Sequence, residues 1–281
     1  MPEVISNKKK TGTLKPRKQA VKRNYLAHLV RLRRHLIRIA VVAILLAVLA
    51  FMNRNLIFDR ILLAPKSENF LTNRALCWIG ETYNIDNLCF NAESLKIINV
   101  NMAGQFLTHL YVSLIAGIIL AFPYILLEVW SFLAFALKIK NRKTTIATLA
   151  FGTLLFVAGL LFSYFLIVPL TVNFLGTYHV SGEVANHVML GSYIGTIASL
   201  ILGVAVFFEL PVFIYFLAKY GIVSPAWLKK MRRAMIVVIL ILSAIITPPD
   251  IISQIMVGIP LLLLYEISIR LAGRVYPKAE A

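Results

Sequence analysis

Lysine and arginine in this chain are confined to alternate gaps between its apolar segments. Six such segments can be read, at 36–52, 105–127, 147–174, 193–217, 234–246 and 251–269. Of the 29 Lys and Arg residues, 12 lie at or before Arg38, 5 in 53–104, 4 in 138–143 and none in 176–192. A further 5 lie in 219–233, none in 247–254 and 3 from Arg270 onward. One alternate set of connections thus holds 24 basic residues and the other 5. Connections rich in Lys and Arg are retained on the cytoplasmic side of a membrane. The pattern therefore predicts both termini in the cytoplasm and an even number of crossings. A mean hydropathy of +0.81 excludes an ordinary soluble domain. The expected fold is all-α, a six-helix polytopic membrane protein.

The last two segments carry the strongest local constraint. The stretch 234–246 has 13 residues, short of the roughly 20 that cross a hydrocarbon core upright. It is followed by Thr-Pro-Pro-Asp-Ile-Ile-Ser-Gln at 247–254. Pro248 and Pro249 cannot continue a helix, so the chain turns there. Merging the two segments would bury Pro-Pro-Asp inside one helix, which is why six spans are expected rather than five. Thr247, Asp250 and Gln254 then lie at a depth where polar groups are costly and usually functional.

Three segments outside the spans can be assigned. Residues 1–27 read as a basic, disordered tail carrying much of the net charge of +17. Beside a first span, such a tail serves orientation and anionic-lipid binding, and no nucleic acid is needed to explain it. No small-residue cleavage site follows a short apolar core, so the first span reads as a retained anchor. The connection 53–104 has five basic and five acidic residues and reads as a small external cap, helical in pieces. Cys77 and Cys89 both fall in it. In an oxidising compartment they can bridge, and two unpaired thiols are the alternative. Residues 274–281 form a short second tail.

Few ionisable groups interrupt the spans. Glu209 lies deep in the fourth, where a charged, unpaired carboxylate costs several kcal/mol. Pro211 breaks the hydrogen-bond ladder beside it and favours an opening. Gly191, Gly195, Ser199 and Gly203 recur every fourth residue, a stripe expected to permit close helix contact on the side that Glu209 faces. Glu128 and Glu266 end the second and sixth spans and are expected at the interface, with Trp130 as an interfacial anchor. No nucleophile elbow, His-Glu-x-x-His or nucleotide loop occurs. His28, His35, His109, His179 and His187 have no metal-ligand spacing. No catalytic residue, metal site or cofactor is expected.

Several of these stretches together resemble the TatC family, the polytopic core of the twin-arginine protein translocase. They are His-Leu-x-x-Leu-Arg-x-x-Leu at 28–36, Phe-Pro-Tyr-Ile-Leu-Leu-Glu-Val-Trp-Ser-Phe at 122–132, Phe-Glu-Leu-Pro at 208–211 and Thr-Pro-Pro-Asp-x-x-Ser-Gln at 247–254. Ile-Pro-Leu-Leu-Leu-Leu-Tyr-Glu-Ile follows at 259–267. The resemblance spans about 25–273, so 28–273 is expected as one membrane domain. It implies a cupped, glove-like helix array that binds twin-arginine signal peptides of folded cargo. It also implies recruitment of single-span TatA and TatB types, self-association in the complex, and export driven by the proton-motive force. Glu209 would line the concave face, and Thr247 and Gln254 would contact the partner helix. Leu32, Leu36 and Phe132 retain the apolar part of the signal-peptide surface.

Two positions depart from the family pattern. Arg31 and Asn141 stand where the family's signal site uses acids. Carboxylates are the usual bidentate partners of arginine, so a cationic surface here weakens that recognition. A paralogue with altered cargo selection is one alternative that follows. A proton-coupled small-solute carrier using Glu209 is another.

Overall fold

The computed structural model describes residues 17–67, 69–83, 96–136, 142–177, 181, 187–247 and 251–276. Among these, five helical stretches are long and apolar enough to cross a membrane: Val30–Met52, Gly104–Phe132, Ile146–Gly176, Leu190–Lys219 and Gln254–Val275. The first belongs to α1 (Arg17–Met52) and the second to α3 (Gly104–Ala136). The third joins α4 (Arg142–Phe162) to α5 (Val168–Thr177) through a π-helical turn at Ser163–Ile167. The fourth joins α6 (Leu190–Phe207) to α7 (Leu210–Lys219). The short helix α8 (Pro225–Lys230) follows, its N-terminus capped by Ser224. The last long stretch is α10 (Ile251–Val275).

The remaining apolar segment forms α9 (Arg232–Ile246), only 15 residues long. At about 1.5 Å per residue it reaches about 22 Å, against a hydrocarbon core of about 30 Å. Length is what separates it from the other five. It packs against α10 and α6 as the near arm of a helical hairpin.

Helix α6 occupies the centre of the core. Ile194, Ile197, Ala198, Leu200, Ile201, Val204 and Ala205 are all buried, more than one helical stripe would provide, as expected of a helix covered on several sides. Neighbouring α3, α4 and α9 supply that cover. By contrast α1 touches mainly α3 and leaves Val41, Ile44, Leu45, Val48 and Leu49 exposed, an apolar face suited to lipid.

Three expectations need revision. The glycine stripe on α6 is not a uniform contact: a Cβ at Gly195 would meet nothing within 4 Å, and one at Gly191 only Thr108 at 3.9 Å. Gly203 alone of the three glycines is crowded, by the flexible side chain of Ile246. The tight backbone approaches lie elsewhere, at Gly117 against Ala43 and Ala47 of α1 and at Gly159 against Ala205 and Phe208. Second, helix α1 begins at Arg17, inside the stretch expected as a disordered tail. Arg, Lys, Gln, Ala and Leu are good helix formers, and they extend a helix that the span has already nucleated.

Third, the fold is mostly helical but not purely so. β1 (Lys96–Ile98) pairs in parallel with β2 (His187–Met189), in register Lys96↔His187 and Ile98↔Met189. This short ladder joins the 53–104 connection to the entry of α6. The connection itself contains a π-helical turn (Leu56–Leu62), a 3-10 turn (Ala64–Lys66) and α2 (Leu71–Tyr83). It is tied down by polar bonds to backbone. The buried Asn73 Nδ2 donates to the carbonyls of Pro65 and Ser67 at 3.0 and 2.8 Å. Tyr193 and Tyr164 donate to Leu62 and Ile61 at 3.1 and 2.9 Å. Cys77 is disulfide-bonded, and Cys89 lies outside the described residues.

Candidate functional site

At the end of the array that carries the N-terminal segment, α1 and α3 enclose an ionic cluster. Tyr124, Glu128 and Phe132 are spaced by four and share one face of α3, while His35 and Arg38 are spaced by three on α1. Glu128 is 7% exposed. Its Oε2 pairs with His35 Nδ1, and Tyr124 donates its hydroxyl to Oε1 at 2.6 Å. Arg38 Nη1 stands 3.7 Å from the same Oε1, on a side chain that is 60% exposed. The His35 ring meets Phe132 edge-on, with centroids 6.0 Å apart. Within one turn of His35, Leu32 and Leu36 are exposed, as is Arg31. His35, one turn from the exposed Leu32 and next to Leu36 in sequence, thus touches both Phe132 and the buried carboxylate. Asn141 lies outside the described residues.

Glu128, expected at the membrane interface, is buried there by His35, a residue to which the sequence assigns no role. Burial follows because α1 packs antiparallel along α3 and sets His35 against Glu128. Only the Tyr-x-x-x-Glu spacing of Tyr124 and Glu128 was available as a local signal. A pair 93 residues apart carries none.

The second polar feature lies inside the array. At the junction of α6 and α7, Pro211 supplies no N–H, and Glu209 N turns back to Val206 O at 3.1 Å. The side chain of Glu209 is thereby set at a break in the helix rather than on the projected α6 stripe. Glu209 is 3% exposed, and neither carboxylate oxygen makes a hydrogen bond among the described residues. It borders a cavity of about 150 Å³ between α3, α4 and α7, lined also by Leu126, Trp130, Gly152 and Phe216. Gly152 makes room for the acid: a Cβ there would stand 3.2 Å from Oε2. Trp130 is buried, not an interfacial anchor. Its ring lies tilted on Phe216 at 4.1 Å, and its Nε1 finds no partner among the described residues. Packing under α7 removes it from the lipid boundary. A carboxylate and an indole N–H without partners therefore share one cavity, an arrangement that can hold water or a polar group.

The third feature is the α9–α10 hairpin. Thr247 is buried and donates Oγ1 to Ser243 O at 2.9 Å, while Gln254 Nε2 donates to Leu240 O at 3.0 Å. Both polar side chains therefore return to the backbone of α9. Pro248, Pro249 and Asp250 lie outside the described residues. At the other end of the hairpin an Arg232–Glu266 ion pair joins the helices, and Tyr265 donates to Leu228 O at 2.9 Å.

Comparison with known proteins bears on all three features. A family model described as Sec-independent protein translocase protein (TatC) matches residues 27–260. The chain is 37% identical over 253 residues to a Sec-independent protein translocase protein TatC of Blattabacterium sp. subsp. Periplaneta americana, covering 89% of this chain and 95% of that one. It is 33% identical over 211 residues to TatCy of Bacillus subtilis, covering 75% and 80%. A crystal structure described as twin arginine translocase receptor TatC superposes with a TM-score of 0.70 at 30% identity, over 88% of this chain and 99% of that one. With its multiple apolar helices, the chain is a multi-pass membrane protein that belongs to the TatC family of Sec-independent protein translocase subunits.

Proposed function

We propose that this chain is the receptor and scaffold subunit of a twin-arginine translocase. It binds signal peptides of folded proteins and recruits single-span TatA- and TatB-type partners for export driven by the proton-motive force. The observation that carries this reading is the exposed Leu32–Leu36 surface beside Phe132 and the Glu128 cluster. An apolar signal segment with basic residues at its head finds both an apolar bed and a carboxylate there. The chain crosses the inner membrane six times with both termini in the cytoplasm, its helices forming a cupped wall. The short helix α9 favours a locally thinned bilayer. The basic N-terminal tail engages anionic lipid.

Glu209 supplies the intramembrane polar site. Thr247 and Gln254 present the partner-helix contact. An amide has two donor hydrogens and an acceptor, so the bond from Gln254 to Leu240 leaves groups for a second helix. Cys77 bridges to Cys89, the other cysteine of the chain, and stiffens the external cap. Alkylation of both thiols without reduction would overturn that bridge. More than one copy assembles in the complex.

Arg31 and Asn141 favour a second reading, a paralogue whose cargo is selected differently. Native copurification tests both. Single-span partners with twin-arginine precursors support the receptor. The same partners with precursors lacking the arginine pair support the paralogue. Solute uptake by the purified chain alone would contradict both.

A further inference from the structure

We propose that Glu128 is the carboxylate that receives a signal-peptide arginine in this protein. The inference rests on the receptor reading and supplies the acceptor that positions 31 and 141 do not. Among the described carboxylates, Asp59 and Glu81 belong to the external connection, Glu209 borders the interior cavity and Glu266 is paired with Arg232. Glu128 pairs with His35, which meets Phe132 and lies in the same stretch of α1 as the exposed Leu32 and Leu36.

Its coordination leaves a place. A carboxylate offers about four acceptor sites. His35 takes one on Oε2, and Tyr124 takes one on Oε1. Arg38 approaches Oε1 only to 3.7 Å, beyond hydrogen-bond reach. It therefore forms a loose ion pair, on a side chain largely in solvent. A guanidinium on a largely exposed side chain thus already approaches Oε1 from the surface side. A peptide arginine takes that place, closes to hydrogen-bond distance, and releases Arg38 outward. Because one guanidinium replaces another, the buried carboxylate is not left uncompensated at any stage. Leu32 and Leu36 hold the apolar part of the peptide, so arginine and apolar segment are read within about two helical turns.

Arg38 is then a competitor rather than a ligand, and its removal should tighten binding. The test is a fluorescence-anisotropy titration of the full chain in detergent at low salt. Two labelled signal peptides are compared, carrying Arg-Arg or Gln-Gln at the same positions. The unmodified chain should prefer Arg-Arg. Glu128→Gln should abolish that preference. Arg38→Gln should raise Arg-Arg affinity by about two- to fivefold, the scale of one solvent-exposed ion pair. Arg34→Gln, a control for general surface charge at another exposed arginine, should raise it less. Should Glu128→Gln fail to fold, Arg38→Gln decides alone, since it leaves the His35 and Tyr124 bonds in place. An Arg-Arg preference that survives Glu128→Gln, or no excess gain with Arg38→Gln, overturns this assignment while the receptor reading stands. Failure of the unmodified chain to bind either peptide overturns the receptor reading itself.

Discussion

Gly117 is the point on which the α1–α3 surface depends, and Gly117→Ala tests that dependence. A Cβ at Gly117 would lie 2.6 Å from Ala43 O, 2.6 Å from Ala47 N and 2.7 Å from Ala47 Cβ. Unstrained carbon contacts sit at about 3.3 to 4.0 Å, so α1 must retreat by about 0.7 Å or more. Two of the three clashing atoms are backbone, so no rotamer change relieves them. Overpacking of this kind costs about 1–3 kcal/mol, a fall in melting temperature of about 2–10 °C for a chain of this size. Relief is directional. α1 is held chiefly by α3 and faces lipid elsewhere, so it moves outward. His35, eight residues before Ala43 and about 12 Å along the helix, moves with it, and the pairing to Glu128 loosens. Gly117→Ala should therefore lower both melting temperature and signal-peptide affinity in detergent. Gly195→Ala is the control: its Cβ enters open space, so both readouts should stay at or above wild type. A Gly117→Ala protein with unchanged melting temperature and peptide affinity would refute the close-approach argument.

Glu209→Gln should fold and insert with a stability within about 1 kcal/mol of wild type, because an amide of nearly the same shape and volume fills the same cavity; Glu209→Leu should also assemble yet lose transport, measured as precursor reaching the far side of inverted vesicles, and full transport by the Leu variant would make Glu209 a packing residue. Gln254→Leu should weaken copurification of single-span partners, and a cysteine at position 254 should crosslink to a cysteine in a partner helix; undiminished assembly together with no crosslink would remove Gln254 from the interface. Arg31→Glu with Asn141→Glu should tighten Arg-Arg peptide binding: like charges about 6 Å apart at an effective dielectric near 20 repel by roughly 3 kcal/mol, or roughly hundredfold before salt screening. The gain should shrink as salt rises, and a gain independent of salt would point away from charge.

Much of the array was legible because a membrane leaves the chain few choices. Long apolar runs become helices when no water is present to satisfy the backbone, and the runs at 105–127, 147–174 and 193–217 fall inside helical stretches long and apolar enough to cross a membrane. Glu209 was legible for the same reason: a lone acid in an apolar run has few uses. What sequence did not carry is contact between distant elements. His35 and Glu128 meet because α1 packs antiparallel along α3, and neither local pattern encodes that register. Trp130 shares the composition of an interfacial anchor, yet Phe216 of α7 covers it. The α6 glycines have the right period but face open space in part, whereas isolated Gly117 and Gly159 make the close approaches. The β1–β2 pair joins segments about 90 residues apart through three residues each, too short to leave a period of its own.

The most direct measurement of the receptor assignment is site-specific photocrosslinking in native membranes. A photoreactive side chain is placed at Leu36, with Ile245 as an exposed control on α9. The receptor assignment predicts an adduct between Leu36 and a twin-arginine precursor, lost when the signal peptide is removed and absent at Ile245. Equal adducts at both positions, or a Leu36 adduct that persists without the signal peptide, would contradict it.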